Sequence, residues 1–139
     1  MPQNLLQITL VVADYDEAIR FYVDKLGFTL LEDTPLTDTK RWVRVAPPGT
    51  LAGGQLLLAK ATDDEQHSRV GNQTGGRVFG FLHTDDFWRG YNHLLQNGVT
   101  IIRPPAEQPY GTVAVFADLY GNLFDLIGPP TPVLDPPTA

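Results

Sequence analysis

Asp125 is a carboxylate set between two large apolar residues, in the run Leu123-Phe124-Asp125-Leu126-Ile127. If that run is a strand, alternation turns Phe124 and Leu126 to one face and Asp125 to the other. A carboxylate on such a face needs a partner or water, and it can serve as an acid or base. His83 raises the same question from the run Arg77–Thr84, where it shares a face with Phe79 and Phe81. It is a candidate proton carrier, and the plainer reading is a polar histidine at a strand end. In Arg41-Trp42-Val43-Arg44-Val45-Ala46 the two valines take one face and Trp42 and Arg44 the other. Trp42 can then stack on a planar ligand. Arg44 can pair with an anionic ligand group or with Asp125. A structural Arg–acid pair beside a wall-filling Trp fits the same pattern. Phe79, Phe81, Phe116 and Tyr110 can line an aromatic pocket or simply fill a core. The other two histidines, His67 and His93, fall in a polar connection and on a helix, and both read as solvated.

Much other chemistry is excluded. The 139 residues contain no cysteine, so there is no thiol nucleophile, disulfide frame, thiolate zinc site or iron–sulfur cluster. Gly53-Gly54 and Gly75-Gly76 match no phosphate-binding loop in a strand-to-helix context. No G-x-S-x-G, H-E-x-x-H or Ser–His–acid set is present. Lys and Arg total 10 against 16 Asp and Glu, a net charge of −6, which argues against a nucleic-acid partner. A composition of 42% hydrophobic and 19% charged residues suits one folded domain. No apolar run is long enough for a membrane span, and the opening residues lack the basic stretch and cleavage site of a secretion signal. A cytoplasmic location follows as the expectation.

The elements that would position these residues come in two sets. Leu5–Val12 reads as a strand. Asp14 caps a helix with apolar residues Tyr15, Ala18, Ile19, Tyr22 and Leu26, and Gly27 stops it. Strands are expected at Phe28–Glu32, Arg41–Ala46 and Gln55–Lys60. The order then repeats. Arg77–Thr84 is a strand, and Asp85 or Asp86 caps a helix through Phe87, Tyr91, Leu94 and Leu95 to the stop at Gly98. Strands follow at Val99–Arg103, Thr112–Ala117 and Leu123–Ile127, with turns at Pro104-Pro105 and Tyr120-Gly121-Asn122. The fold class is therefore α+β, with two β-α-β-β-β modules. They are expected to pair into one curved eight-stranded half-barrel with a helix behind each module. Residues 1–128 form one domain, with modules 4–60 and 77–128 joined by connection 61–76. Residues 129–139 form a proline-rich tail.

The opening run "ITLVVADYDEAIRFYVDKLGF" and the closing run "VFADLYGNLFDLIGP" are similar to the vicinal oxygen chelate superfamily. That group includes glyoxalase I, extradiol dioxygenases, metal-dependent fosfomycin-resistance enzymes and bleomycin-resistance proteins. The resemblance covers Leu5 to about Pro129. In the metal-dependent members four side chains meet in a concave cavity, two from each module. Carried over by position, these fall on Gln7, Leu57, Phe79 and Asp125. Leu57 and Phe79 have no lone pair to donate, so the resemblance implies a cavity without the usual metal and with no cofactor. The ligand-binding set it suggests is Gln7, Trp42, Arg44, Leu57, Phe79, Phe81, His83, Tyr110 and Asp125. The function expected is binding of a small molecule by a homodimer. The alternative is a lyase, isomerase or dioxygenase that uses a displaced divalent-metal site at Gln55, His83 and Asp125, or metal-free acid–base chemistry by Asp125 or His83. A structural or partner-binding module is the third class.

Overall fold

The computed structural model describes residues 1–50 and 52–130. Among the described residues eight strands and two of three α-helices form two β-α-β-β-β modules. In the first module β1 is Gln7–Val12, α1 Tyr15–Ile19, β2 Thr29–Pro35, β3 Arg41–Ala46 and β4 Gln55–Lys60. A short helix, α2 (Asp64–His67), lies in the connection. The second module has β5 Val78–His83, α3 Phe87–Gln96, β6 Thr100–Gln108, β7 Gly111–Ala117 and β8 Leu123–Gly128. Hydrogen bonding divides the strands into two sheets of four, ordered β1-β4-β3-β2 and β5-β8-β7-β6. β1 pairs with β4 and β5 with β8 in parallel, and the remaining pairs are antiparallel. The two orders match element for element, which is the duplication expected from the sequence.

Asp14 starts α1 by accepting a hydrogen bond from the Glu17 backbone N–H at 2.9 Å. The helix then widens into a π-helical turn over Arg20–Lys25, with Leu26 N–H bonded to the Phe21 carbonyl. Phe21 and Tyr22, three and four residues after the buried Ala18, share its face and both reach the core. Gly27, at φ +77°, ends it. Asp86 caps α3 by accepting from the Arg89 N–H at 3.2 Å.

The inner faces of both sheets feed one core. Leu10, Val12, Val43, Val45 and Leu58 come from the first module, and Ala114, Phe116, Phe124 and Leu126 from the second. Tyr22 sits among them fully buried, with its ring 5.5 Å from Phe28 and 6.3 Å from Phe124. Phe116 and Phe124 stack at 5.3 Å. Aromatic pairs of this kind contribute about 0.5–1.5 kcal/mol each beyond their buried area.

A clasp also joins the modules. Tyr22 Oη donates to Asp118 Oδ2 at 2.6 Å. Asp118 accepts further bonds from the backbone N–H groups of Tyr120 and Asn122 and from Asn122 Nδ2. Tyr120 Oη donates to Glu17 Oε1 at 2.7 Å. The Asp-Leu-Tyr-Gly-Asn stretch is thus a structural knot against α1.

Two expectations change. The prolines at 104 and 105 make no turn. β6 runs through them to Gln108 with its register shifted between Arg103 and Ala106, which an edge strand tolerates. The hairpin turn is Pro109-Tyr110 instead, because Gln108 pairs with Gly111. β5 also carries a register shift between Val78 and Gly80, so strict alternation fails at Phe79. Of the tail, Pro129 and Pro130 are exposed and outside any strand, and residues 131–139 lie outside the described residues.

Candidate functional site on the outer sheet faces

Alternation on β3 works as the sequence suggests. Val43 and Val45 are fully buried, and Trp42 and Arg44 stand half-buried on the opposite, outer face. In register, Thr9, Leu57, Arg44 and Glu32 form one row across the sheet, and Gln7 lies directly opposite Gln55. Arg44 Nε donates to Glu32 Oε1 at 3.0 Å, and Arg44 Nη1 donates to Gln55 Oε1 at 2.6 Å. Arg44 therefore has its acid on the neighbouring strand, in its own row, and does not pair with Asp125. Hydrogen bonds from Thr34 and Arg44 hold the Glu32 carboxyl below its ordinary pKa. Glu32 lay at the end of an expected strand, and only the β2–β3 register shows that it meets Arg44.

On the second sheet, Phe81, Asp125 and Val115 form one row, and Arg103 lies beyond Val115 on β6. His83, Ile127 and Val113 form the next row. The Asp125 carboxylate makes no hydrogen bond or ion pair with any other described residue. Partial burial raises its pKa, and the charge of Arg103 acts in the opposite sense. Phe81 is 61% exposed beside it. Arg103 closes the expected strand Val99–Arg103, and only the β6–β7 pairing shows that it joins the row of Asp125. Phe79 leans onto the core, with its ring 5.6 Å from Phe124 and edge-on to it. Tyr110 sits exposed in the β6–β7 turn, and His83 is exposed at the end of β5. His67 in α2 and His93 in α3 are exposed as well.

The structure thus groups the candidates into two faces and a seam. Trp42, Arg44, Leu57 and Gln7 belong to the first outer face, and Phe81, Asp125 and His83 to the second. Between β1 and β5 lies a cavity of about 190 Å³ that Gln7, Ile8, Gln55, Phe79, Phe81 and Phe124 help to line. Trp42, Leu57 and Asp125 do not line it. The strands on either side of the seam are sheet edges. Gln73 closes part of the β1 edge. Its amide accepts from Val11 N–H at 3.3 Å and donates to the Val11 carbonyl at 3.2 Å, as a neighbouring strand would. Gln7 and Thr9 turn their backbone groups the same way as Val11, and Phe81 and His83 do so on β5.

The four superfamily positions do not suit a metal. Leu57 and Phe79 offer no donor atom, and Phe79 is turned onto Phe124. The displaced set fits no better, because the Gln55 amide oxygen already faces the Arg44 guanidinium. Among the described residues no group of three or more His, Asp and Glu side chains is placed to hold a metal ion. No helix among them is long and apolar enough to cross a membrane.

Comparison with known proteins places this geometry. The model of the Glyoxalase/Bleomycin resistance protein/Dioxygenase superfamily matches residues 4–126. An uncharacterized protein of Shewanella frigidimarina is 61% identical over 91% of this chain and 94% of its own length. The crystal structure of UcmS2 has a TM-score of 0.80 at 33% identity, covering 91% of this chain and 98% of that one. TnmS3, an antibiotic binding protein from Streptomyces sp. CB03234, has a TM-score of 0.72 at 30% identity, covering 92% and 97%.

Proposed function

The chain belongs to the Glyoxalase/Bleomycin resistance protein/Dioxygenase superfamily, and from that premise we propose that it is a small-molecule-binding protein of the antibiotic-binding kind. The observation that carries this reading is the pair of uncovered outer faces. Each presents an accessible aromatic ring beside a few polar groups, Trp42 with Arg44 and Gln7 on one, Phe81 with Asp125 on the other. Such a mixture gives an organic ligand apolar area and fixes its orientation. The similarity to TnmS3 supports it. Metal is not required, since binding rests on stacking and hydrogen bonds.

The proposal includes a homodimer. β1 and β5 each leave a row of backbone groups without a strand partner, and the exposed apolar side chains of Leu5, Leu6 and Ile8 stand beside the first edge. Open edges of this kind favour pairing with another chain, and a two-fold dimer is the commonest closed form. The binding reading is tested by a thermal-shift screen of planar aromatic antibiotics against the wild type and Trp42→Ala. A compound that raises the wild-type melting temperature should do so less in Trp42→Ala, because ligand bound to the native state adds stability. Equal shifts in both proteins would remove Trp42 from the site.

A further inference from the structure

We infer that the outer face of the second module selects cationic ligands, with Asp125 as the anchor and Phe81 as the surface on which the ligand's body rests. The inference builds on the small-molecule-binding reading above and names the class of ligand. It comes from comparing how the two faces dispose of their charges. On the first face the arginine is satisfied. Glu32 opposes Arg44 in the same row and takes its Nε hydrogen bond, and Gln55 takes the Nη1 bond. The pair is neutral, so an anionic ligand would have to displace an acid already seated.

On the second face the charges do not meet. Asp125 and Arg103 belong to one row, but Val115 stands between them. Neighbouring strands lie about 4.8 Å apart, so two strand spacings separate their backbones. No ion pair joins the two side chains. Asp125 is flanked by Phe81 and Val115 across the sheet, and by Leu123 and Ile127 along its own strand. A carboxylate in an apolar surround is met by water in the free protein. A ligand ammonium or amidinium would replace that water with a charge-assisted hydrogen bond. The Phe81 ring, largely exposed, offers such a cation its π face and the attached hydrocarbon an apolar surface. Arg103 is the competitor in the row: its charge opposes a bound cation. His83, two residues beyond Phe81 on β5, is the other titratable group on this face.

The test uses the full chain and three probes of one shape: naphthylmethylamine, naphthalenemethanol and naphthoic acid. Each is titrated by calorimetry at low salt and mildly alkaline pH against wild type, Asp125→Asn and Arg103→Ala. The amine should bind wild type about ten-fold more tightly than the alcohol, with the acid weakest. Asp125→Asn should bring the amine down to the level of the alcohol. Arg103→Ala should tighten amine binding by about three-fold, an effect that salt diminishes. An acid that binds as well as the amine overturns the inference, as does an amine preference that survives in Asp125→Asn. Equal binding of all three probes also overturns it and leaves the small-molecule reading standing. Binding of none of the three contradicts both.

Discussion

At the residue scale, Asp118 and Asp125 show how one side-chain type takes two roles from its surroundings. Asp118 is buried and accepts from the Tyr22 hydroxyl, two backbone N–H groups and the Asn122 amide. Its charge is fully partnered. Tyr22→Phe removes one of those donors and should cost about 1.5–3 kcal/mol in urea unfolding. An unchanged midpoint would show that the clasp contributes nothing. Burial and the neighbouring Asp118 charge also push the Tyr22 phenol well above its ordinary pKa. The unfolded chain can then ionise this tyrosine at a pH where the folded protein cannot. Stability should fall as pH rises beyond about 10, the unfolded value, and Tyr22→Phe should make that fall shallower. A slope the same in both proteins would contradict this. Asp125 carries the opposite lesson. Its carboxyl is raised by partial burial, so the folded state prefers the protonated form. The stability it contributes is present at acidic pH and is lost as pH rises through the folded pKa. Asp125→Asn should therefore stabilise the protein at neutral pH by a fraction of a kcal/mol, small because water reaches the group. The gain should vanish once the carboxyl is protonated, and a stability loss at neutral pH would argue for a partner that this reading lacks.

At the element scale, what the sequence made legible was periodicity and punctuation. The caps Asp14 and Asp86, the stops Gly27 and Gly98, and the β3 face assignment follow from local chemistry and recur in the structure. The departures arise where register decides. A shift in β5 turns Phe79 onto the core, and β6 carries Pro104 and Pro105 in an edge-strand irregularity. Neither is visible in a one-dimensional alternation, because a bulge needs its partner strand to be defined. The connection offers a further case. Its few apolar residues suggested a plain link, yet Gln73 pairs with the β1 edge, and Gly71 lies against the Tyr120 carbonyl. A Cβ at Gly71 would lie 2.0 Å from that oxygen, whereas Gly75, with a similar positive φ of +66°, has open space around it. Gly75→Ala should cost about 1 kcal/mol from the left-handed backbone alone. Gly71→Ala should cost more than about 2 kcal/mol, since the clash adds to the same strain. Equal losses in chemical denaturation would mean that the connection does not press on the turn.

At the scale of the whole molecule, the duplication explains why the fold could be read and the site only in pieces. Two modules with the same element order fix the architecture, because each sheet needs the shared core. The candidates divide between the outer faces of the two sheets and the seam, and no single-strand pattern shows how the sheets are disposed. Trp42, Arg44 and Asp125 were assignable to outer faces from alternation alone. The Glu32 partner of Arg44 and the Arg103 neighbour of Asp125 needed the strand pairing. The dimer belongs to this scale too. Light scattering at micromolar concentration should give twice the 15.3 kDa chain mass, and a monomer mass would remove the edge-pairing proposal. The central claim is that the outer faces bind a small organic molecule. It is tested most directly by amide and indole NMR of the labelled protein titrated with a planar aromatic antibiotic that gives a thermal shift. The account predicts saturable shifts at the Trp42 indole and at the Phe81 and Asp125 amides, with His67 unmoved. Shifts confined to the connection, or no perturbation at either face, would contradict it.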